Sequence, residues 1–96
     1  MEVPPLRFIV RCLFISPGAL VAFVEASDDP EMFLLRHLQG DWGDVNAKED
    51  EANETALTTG RHLFSLYRTS LGRPIRVITD PGRSATSMLL PEEAIN

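Results

Sequence analysis

Ninety-six residues allow one domain, spanning 1–96, because a chain of this size buries only roughly 60–65% of its unfolded surface and supports one small core. Hydrophobic content of 44% with 24% charged residues excludes the disordered class. A formal net charge of −5 argues against general attraction to nucleic acid or to an anionic membrane, and a single cysteine, Cys12, excludes an internal disulfide framework.

The first element in chain order is a strand, expected over Phe8–Ile15 from its length and its β-branched and aromatic content. Cys12 within it is expected to behave as a small core hydrophobe, since nothing adjacent would lower its pKa. The run is interrupted by Arg11 and far shorter than a membrane span, and no signal-peptide pattern is visible, so a cytoplasmic protein without a membrane segment is expected. Ser16-Pro17 then reads as a helix start: the serine accepts an orphan N–H, and proline at the first helical position loses a donor that had no partner. That helix is expected to reach Ala26 and to bury Leu20, Phe23 and Val24. Asp29-Pro30 repeats the device for a second helix, with Met32, Phe33 and Leu35 on its stripe and Gly40 as its stop. Asn46 and Glu49 have the spacing of a capping box, which predicts a third helix over Ala47–Thr59 ended by Gly60. This helix is polar on most sides and offers only Ala52, Ala56 and Leu57 to a core.

The remainder predicts β structure. Arg61–Thr69 alternates, with Leu63, Ser65 and Tyr67 opposing His62, Phe64 and Leu66. Ser70–Arg73 turns the chain, Pro74–Thr79 returns, Asp80–Arg83 turns again, and Ser84–Leu90 is the last strand. The fold class expected is α+β: a short N-terminal strand and three helices, then a three-stranded antiparallel meander with the helices on one sheet face. Whether the first strand joins the sheet is left open by the sequence.

Charge is unevenly placed. Between Asp28 and Glu54 nine acids face Arg36 and Lys48, whereas Arg61, Arg68, Arg73, Arg76 and Arg83 face only Asp80 further on. The dense cluster Arg36-His37-Leu38-Gln39-Gly40-Asp41-Trp42-Gly43-Asp44 is the main candidate for chemistry. His37, Asp41 and Asp44, joined by His62, are residue types that ligate zinc, iron or manganese, but the spacing is loose and no metal or other cofactor is assigned. Asp41 and Asp44 equally suit turn N–H groups, and Trp42 is either a core anchor or an exposed recognition residue. Glu49, Asp50 and Glu54 on the third helix are either a solvated face or, with Asp41, Trp42 and Asp44, a surface that imitates a phosphate backbone. That second reading requires the carboxylates to face outward, free of the sheet's guanidinium groups. Arg68, Arg76 and Arg83 near the hairpins could clamp a phosphate, with His37 or His62 as general base and Thr86 as donor.

Several strings taken together resemble a family of small bacterial proteins carried on plasmids and integrated mobile elements. They are Ser16-Pro17-Gly18-Ala19-Leu20, the block from Arg36 to Val45, Asn53, Ala56-Leu57, Gly60-Arg61, Ser65, Tyr67, Ile78-Thr79-Asp80, Arg83-Ser84, Thr86 and Leu89–Glu93. The chain departs from that pattern at Arg76, where relatives carry tryptophan, at Gly82 for an acidic turn residue, and at Ala94 for tyrosine. The resemblance implies a mobile-element setting and no particular activity. The expectation is a non-catalytic acidic protein, using Asp41, Trp42, Asp44, Glu49, Asp50 and Glu54 to bind a protein of a host nucleic-acid-processing or defence complex, without direct nucleic-acid contact. The alternative is a ribonuclease-like domain, similar in outline to the barnase–RelE group, using His37, Arg83 and Thr86.

Overall fold

The computed structural model describes residues 4–93, so Ala94 lies outside the described residues. In chain order the elements are β1 (Cys12–Ile15), α1 (Pro17–Ala26), α2 (Pro30–Leu38), α3 (Ala47–Thr59), β2 (Leu63–Arg68), β3 (Pro74–Thr79) and β4 (Ala85–Leu89). Two single 3-10 turns, Pro81–Arg83 and Pro91–Glu93, follow β3 and β4.

The helix starts follow from their caps. Ser16 accepts from the Ala19 N–H, Asp29 from the Glu31 N–H, and Asn46 and Glu49 form the reciprocal capping box. Gly60 ends α3 at φ 77°, a left-handed conformation that favours glycine.

The expected meander is present as β2-β3-β4, but the sheet is larger. β1 joins it, parallel to β4 with Cys12 beside Ala85 and Ile15 beside Met88, giving a four-stranded mixed sheet in the order β1-β4-β3-β2. The first strand is also shorter than expected. At residue 7 the backbone N–H already bonds Leu38 O at the end of α2, and Phe8 packs in a side cluster instead of the sheet.

One sheet face is buried beneath the helices through Leu63, Ser65, Tyr67, Ile75, Val77, Thr79, Thr86 and Met88. The main core joins Ala19, Ala22, Phe23 and Phe33 to Tyr67, Ile75, Val77, Met88 and Leu90. A second cluster sets Trp42, Ala56 and Leu63 against Phe8, Val45 and Leu57. Cys12 is exposed, which corrects the core placement: even-numbered β1 residues point to the face without helices.

The helices also sit in a different rotation from the one expected. α1 buries Phe23 as expected, but with Ala19 and Ala22 in place of Leu20 and Val24, which are 50% and 69% exposed. The physical reason is close approach: two alanines bring the helix axis nearer to the sheet than a leucine–valine face would. In α2, Phe33 is buried as expected, but Met32 and Leu35 are exposed and His37 takes the inward position. In α3, Ala56 is buried, Ala52 is exposed, and Asn53 is buried in place of an apolar residue. Asn53 lies against β2, where its amide donates to Phe64 O at 2.6 Å and accepts from the Phe64 N–H at 2.9 Å. A side chain thus substitutes for a neighbouring strand at that edge.

Candidate functional site

The loop between α2 and α3 is built as part of the scaffold. The Leu66 N–H donates to Trp42 O at 3.0 Å and the Asp44 N–H donates to Leu66 O at 2.7 Å, so Gly43 lies against β2 as a one-residue strand extension. Gly43 has φ 73°, and a Cβ there would collide with the Leu66 carbonyl and the Tyr67 ring. Trp42 is 4% exposed and donates its indole N–H to Glu54 at 2.9 Å, with Phe8 stacked on it and His37 edge-on. Of its two roles, it fills that of core anchor.

The nominated carboxylates are largely engaged within the chain. Asp41 takes Arg36 through both oxygens at 2.8 and 3.3 Å and also accepts the Gly43 N–H, and the Arg36 guanidinium holds its pKa below the ordinary carboxylate value. The same guanidinium lies 4.4 Å above the Tyr67 ring, and the Tyr67 hydroxyl donates to Asp41 O at 2.5 Å. Asp44 pairs with Arg68 at 3.3 Å and Glu49 with Arg76 at 3.4 Å, both guanidinium groups coming from the sheet. Glu54 accepts from Arg7 at 2.9 and 3.1 Å as well as from Trp42, and Arg7 first, then Trp42, lowers its pKa. Asp50 is exposed and, among the described residues, has no ion-pair partner. Each surface pair contributes only about 0–1 kcal/mol to stability. Together they leave Asp50 as the one nominated acid not already occupied, and the phosphate-imitating surface loses the free carboxylates it requires.

The alternative catalytic set does not converge on a cleft. His37 is fully buried, with Nδ1 2.5 Å from Ser65 Oγ and Nε2 2.8 Å from Thr79 Oγ1. Thr79 Oγ1 continues the chain of hydroxyls to Thr86 Oγ1 at 2.7 Å. Burial, helped by the positive charge of Arg83, pushes the His37 pKa from 6.5 down to about 4. All four side chains have zero exposure, so none meets a substrate in this structure. Arg83 instead donates to Ala56 O at 2.7 Å and Arg61 O at 2.6 Å, closing the C-terminal end of α3. With Arg68 and Arg76 held by Asp44 and Glu49, the three arginines do not form a phosphate clamp. His37 and Asp41 are likewise committed to hydroxyls and to Arg36, and among the described residues no group of three or more His, Cys, Asp or Glu could hold a metal ion.

No family model matches the chain, and neither a curated protein nor a solved structure matches it.

The outer face of the helix layer is what the sequence reading missed. Leu20, Val21 and Val24 are 50%, 53% and 69% exposed and fall within one side of α1, and Met32 and Leu35 are exposed on α2. The two helices touch through an edge-to-face contact between Phe23 and Phe33 at 5.1 Å. Between residues 17 and 35 the only charges are Glu25, Asp28, Asp29 and Glu31, with no lysine or arginine. A signal for this surface was present in the sequence, since Glu25 is the one polar side chain α1 can give to water.

Proposed function

We propose that this chain is a non-catalytic acidic binding protein that docks the outer face of α1 and α2 onto an apolar, lysine- and arginine-rimmed surface of another protein. The observation that carries the reading is the exposed set Leu20, Val21, Val24, Met32 and Leu35 in a stretch whose only charges are acidic. Apolar residues exposed together on a small monomer mark contact sites more often than singly scattered ones do. The acids around them attract a basic rim and repel both phosphate backbones and acidic surfaces. The mobile-element setting implied by the sequence resemblance points to a host nucleic-acid-processing or defence protein, since such proteins carry basic surfaces.

The test is site-specific photocrosslinking from Val24 in host cells, followed by mapping of the crosslinked peptide. The expected result is one partner contacted on an apolar patch bordered by Lys or Arg, with capture lost in Leu20→Asp and Val21→Asp and retained in Asp50→Asn. Capture that survives both aspartate substitutions but is lost in Asp50→Asn would move the binding surface to α3. RNA cleavage by the pure protein that disappears in Arg83→Ala, with the fold intact by circular dichroism, would replace this reading by the catalytic one.

A further inference from the structure

The sheet has two edges, and they are treated differently. At β2 the outer side is occupied by Asn53 and by the Trp42–Asp44 segment. At β1 no backbone group of the described residues pairs with the outer side. The Ser16 N–H donates to Met88 O, so by strand alternation the N–H and C=O groups of Leu13 and Ile15 point away from β4. The strand Cys12-Leu13-Phe14-Ile15 is only four residues long, but it carries no charge, no proline and no bulge to blunt its edge. Phe14 is 60% exposed beside it.

Charge selects the occupant. Arg11 lies just before the strand, is exposed, and has no ion-pair partner among the described residues. The opposite end of the strand is acidic. Glu93 accepts from Ser16 Oγ at 2.5 Å, which fixes the turn Pro91–Glu93 there, and Glu92 in that turn is exposed and likewise unpaired. An antiparallel neighbour of identical sequence sets the start of each strand against the end of the other, which brings Arg11 of one copy toward the strand end where Glu93 holds the Pro91–Glu93 turn of the other. A two-fold axis perpendicular to the sheet keeps both helix layers on the same side, which requires like-facing residues to oppose one another. Centring the axis on Leu13 satisfies this and lets Leu13 exchange both hydrogen bonds with its counterpart. Arg11 then pairs with Ile15 and Cys12 lies opposite Phe14.

We propose that the β1 edge is a homodimer interface, in which two copies join antiparallel about Leu13 into one eight-stranded sheet clamped by two Arg11–Glu92 pairs. This surface is separate from the helix face, and either can be lost without the other.

Sedimentation equilibrium of the full chain should show a dimer. Arg11→Glu and Glu92→Arg should each weaken it by about tenfold or more, and the double exchange should restore it, since like charges then become opposite again. Register is read separately. Phe14→Cys should crosslink to Cys12 of the second copy under mild oxidation, because directly opposed residues of a non-hydrogen-bonded pair lie within disulfide reach. A monomeric wild type, a dimer indifferent to Arg11→Glu, or no crosslink from Phe14→Cys overturns the proposal. A monomer that binds an acidic extended peptide at β1 would instead assign the edge to a foreign strand. Leu20→Asp should leave the dimer intact, so failure here and failure of docking through the helix face are told apart.

Discussion

At the scale of single residues, the buried histidine sets how the protein responds to acid. His37 sits among Ser65, Thr79 and Thr86 with both ring nitrogens hydrogen-bonded. Hydroxyls can donate or accept, so the network is satisfied around a neutral ring, and no buried side-chain polar atom among the described residues lacks a partner. Its folded pKa of about 4 lies below the 6.5 of an exposed histidine. As pH falls through 6.5 the unfolded chain therefore takes up a proton that the folded chain refuses. The stability contributed by the neutral ring is complete above that value and is lost progressively down to about pH 4, a change of about 3 kcal/mol. Asp41 and Glu54, whose pKa values are lowered by Arg36 and Arg7, add a further loss at more acid pH. Urea unfolding at a series of pH values should show a falling midpoint between pH 6.5 and 4. His37→Met, though less stable, should be much flatter across that window. A wild type with constant stability there would mean that the ring is not held neutral.

At the scale of elements, the helix starts were legible and the helix faces only in part: Phe23, Phe33 and Ala56 are buried as expected, whereas Leu20, Val24, Met32, Leu35 and Ala52 are exposed. Ser16, Asp29 and Asn46 announce their helices by local chemistry that acts within three residues. By contrast, Glu25 is the one polar side chain of α1, so periodicity could not decide whether Leu20 and Val24 or Ala19 and Ala22 accompany Phe23 into the core. Close packing on the sheet decided it in favour of the small residues. The pairing of β1 with β4 joins residues 12–15 to 85–88, and no local pattern encodes a parallel partner that distant. The resemblance strings mark architecture more than chemistry: Gly43, Asn53, Tyr67, Arg83 and Glu93 all hold one element against another. Glu93 shows how. Its carboxylate accepts from Ser16 Oγ, the Leu90 N–H and the Gly18 N–H, so the end of β4 is fastened to the start of α1, where the helix dipole favours a negative charge. Gly18 is required by that contact, because a Cβ there would stand 2.6 Å from Glu93 Oε2 and 2.8 Å from Leu90 Cδ1. Gly18→Ala should therefore destabilise the fold by about 1–3 kcal/mol by overpacking, although alanine is the better helix former. In Gly18→Ala combined with Glu93→Ala the added penalty should shrink, and chemical denaturation of the four proteins of that cycle measures it.

At the scale of the whole molecule, charge is settled internally in one region and left open in another. The acidic loop and α3 lie beside arginines from α2, the sheet and the N-terminal segment, and the pairs Arg36–Asp41, Arg68–Asp44, Arg76–Glu49 and Arg7–Glu54 spread the neutralisation around the loop and along α3. The sequence showed the asymmetry of charge but not that the acidic and basic segments are folded against each other, which is a consequence of topology. The stretch from residue 17 to 35 has no such counter-charge, and its exposed apolar residues Leu20, Val21, Val24, Met32 and Leu35 lie outside the core. That separation can be measured on one helix. Phe23 is 1% exposed and packs edge-on against Phe33, so Phe23→Ala should cost about 3–5 kcal/mol and bring a domain of this size close to unfolding. Val24 is the next residue along and 69% exposed, so Val24→Gln should alter stability by no more than about 0.5 kcal/mol. Paired thermal and urea denaturation of the two variants tests the rotation of α1 directly. If Val24→Gln were as damaging as Phe23→Ala, the valine would be buried, and the apolar docking face would not exist.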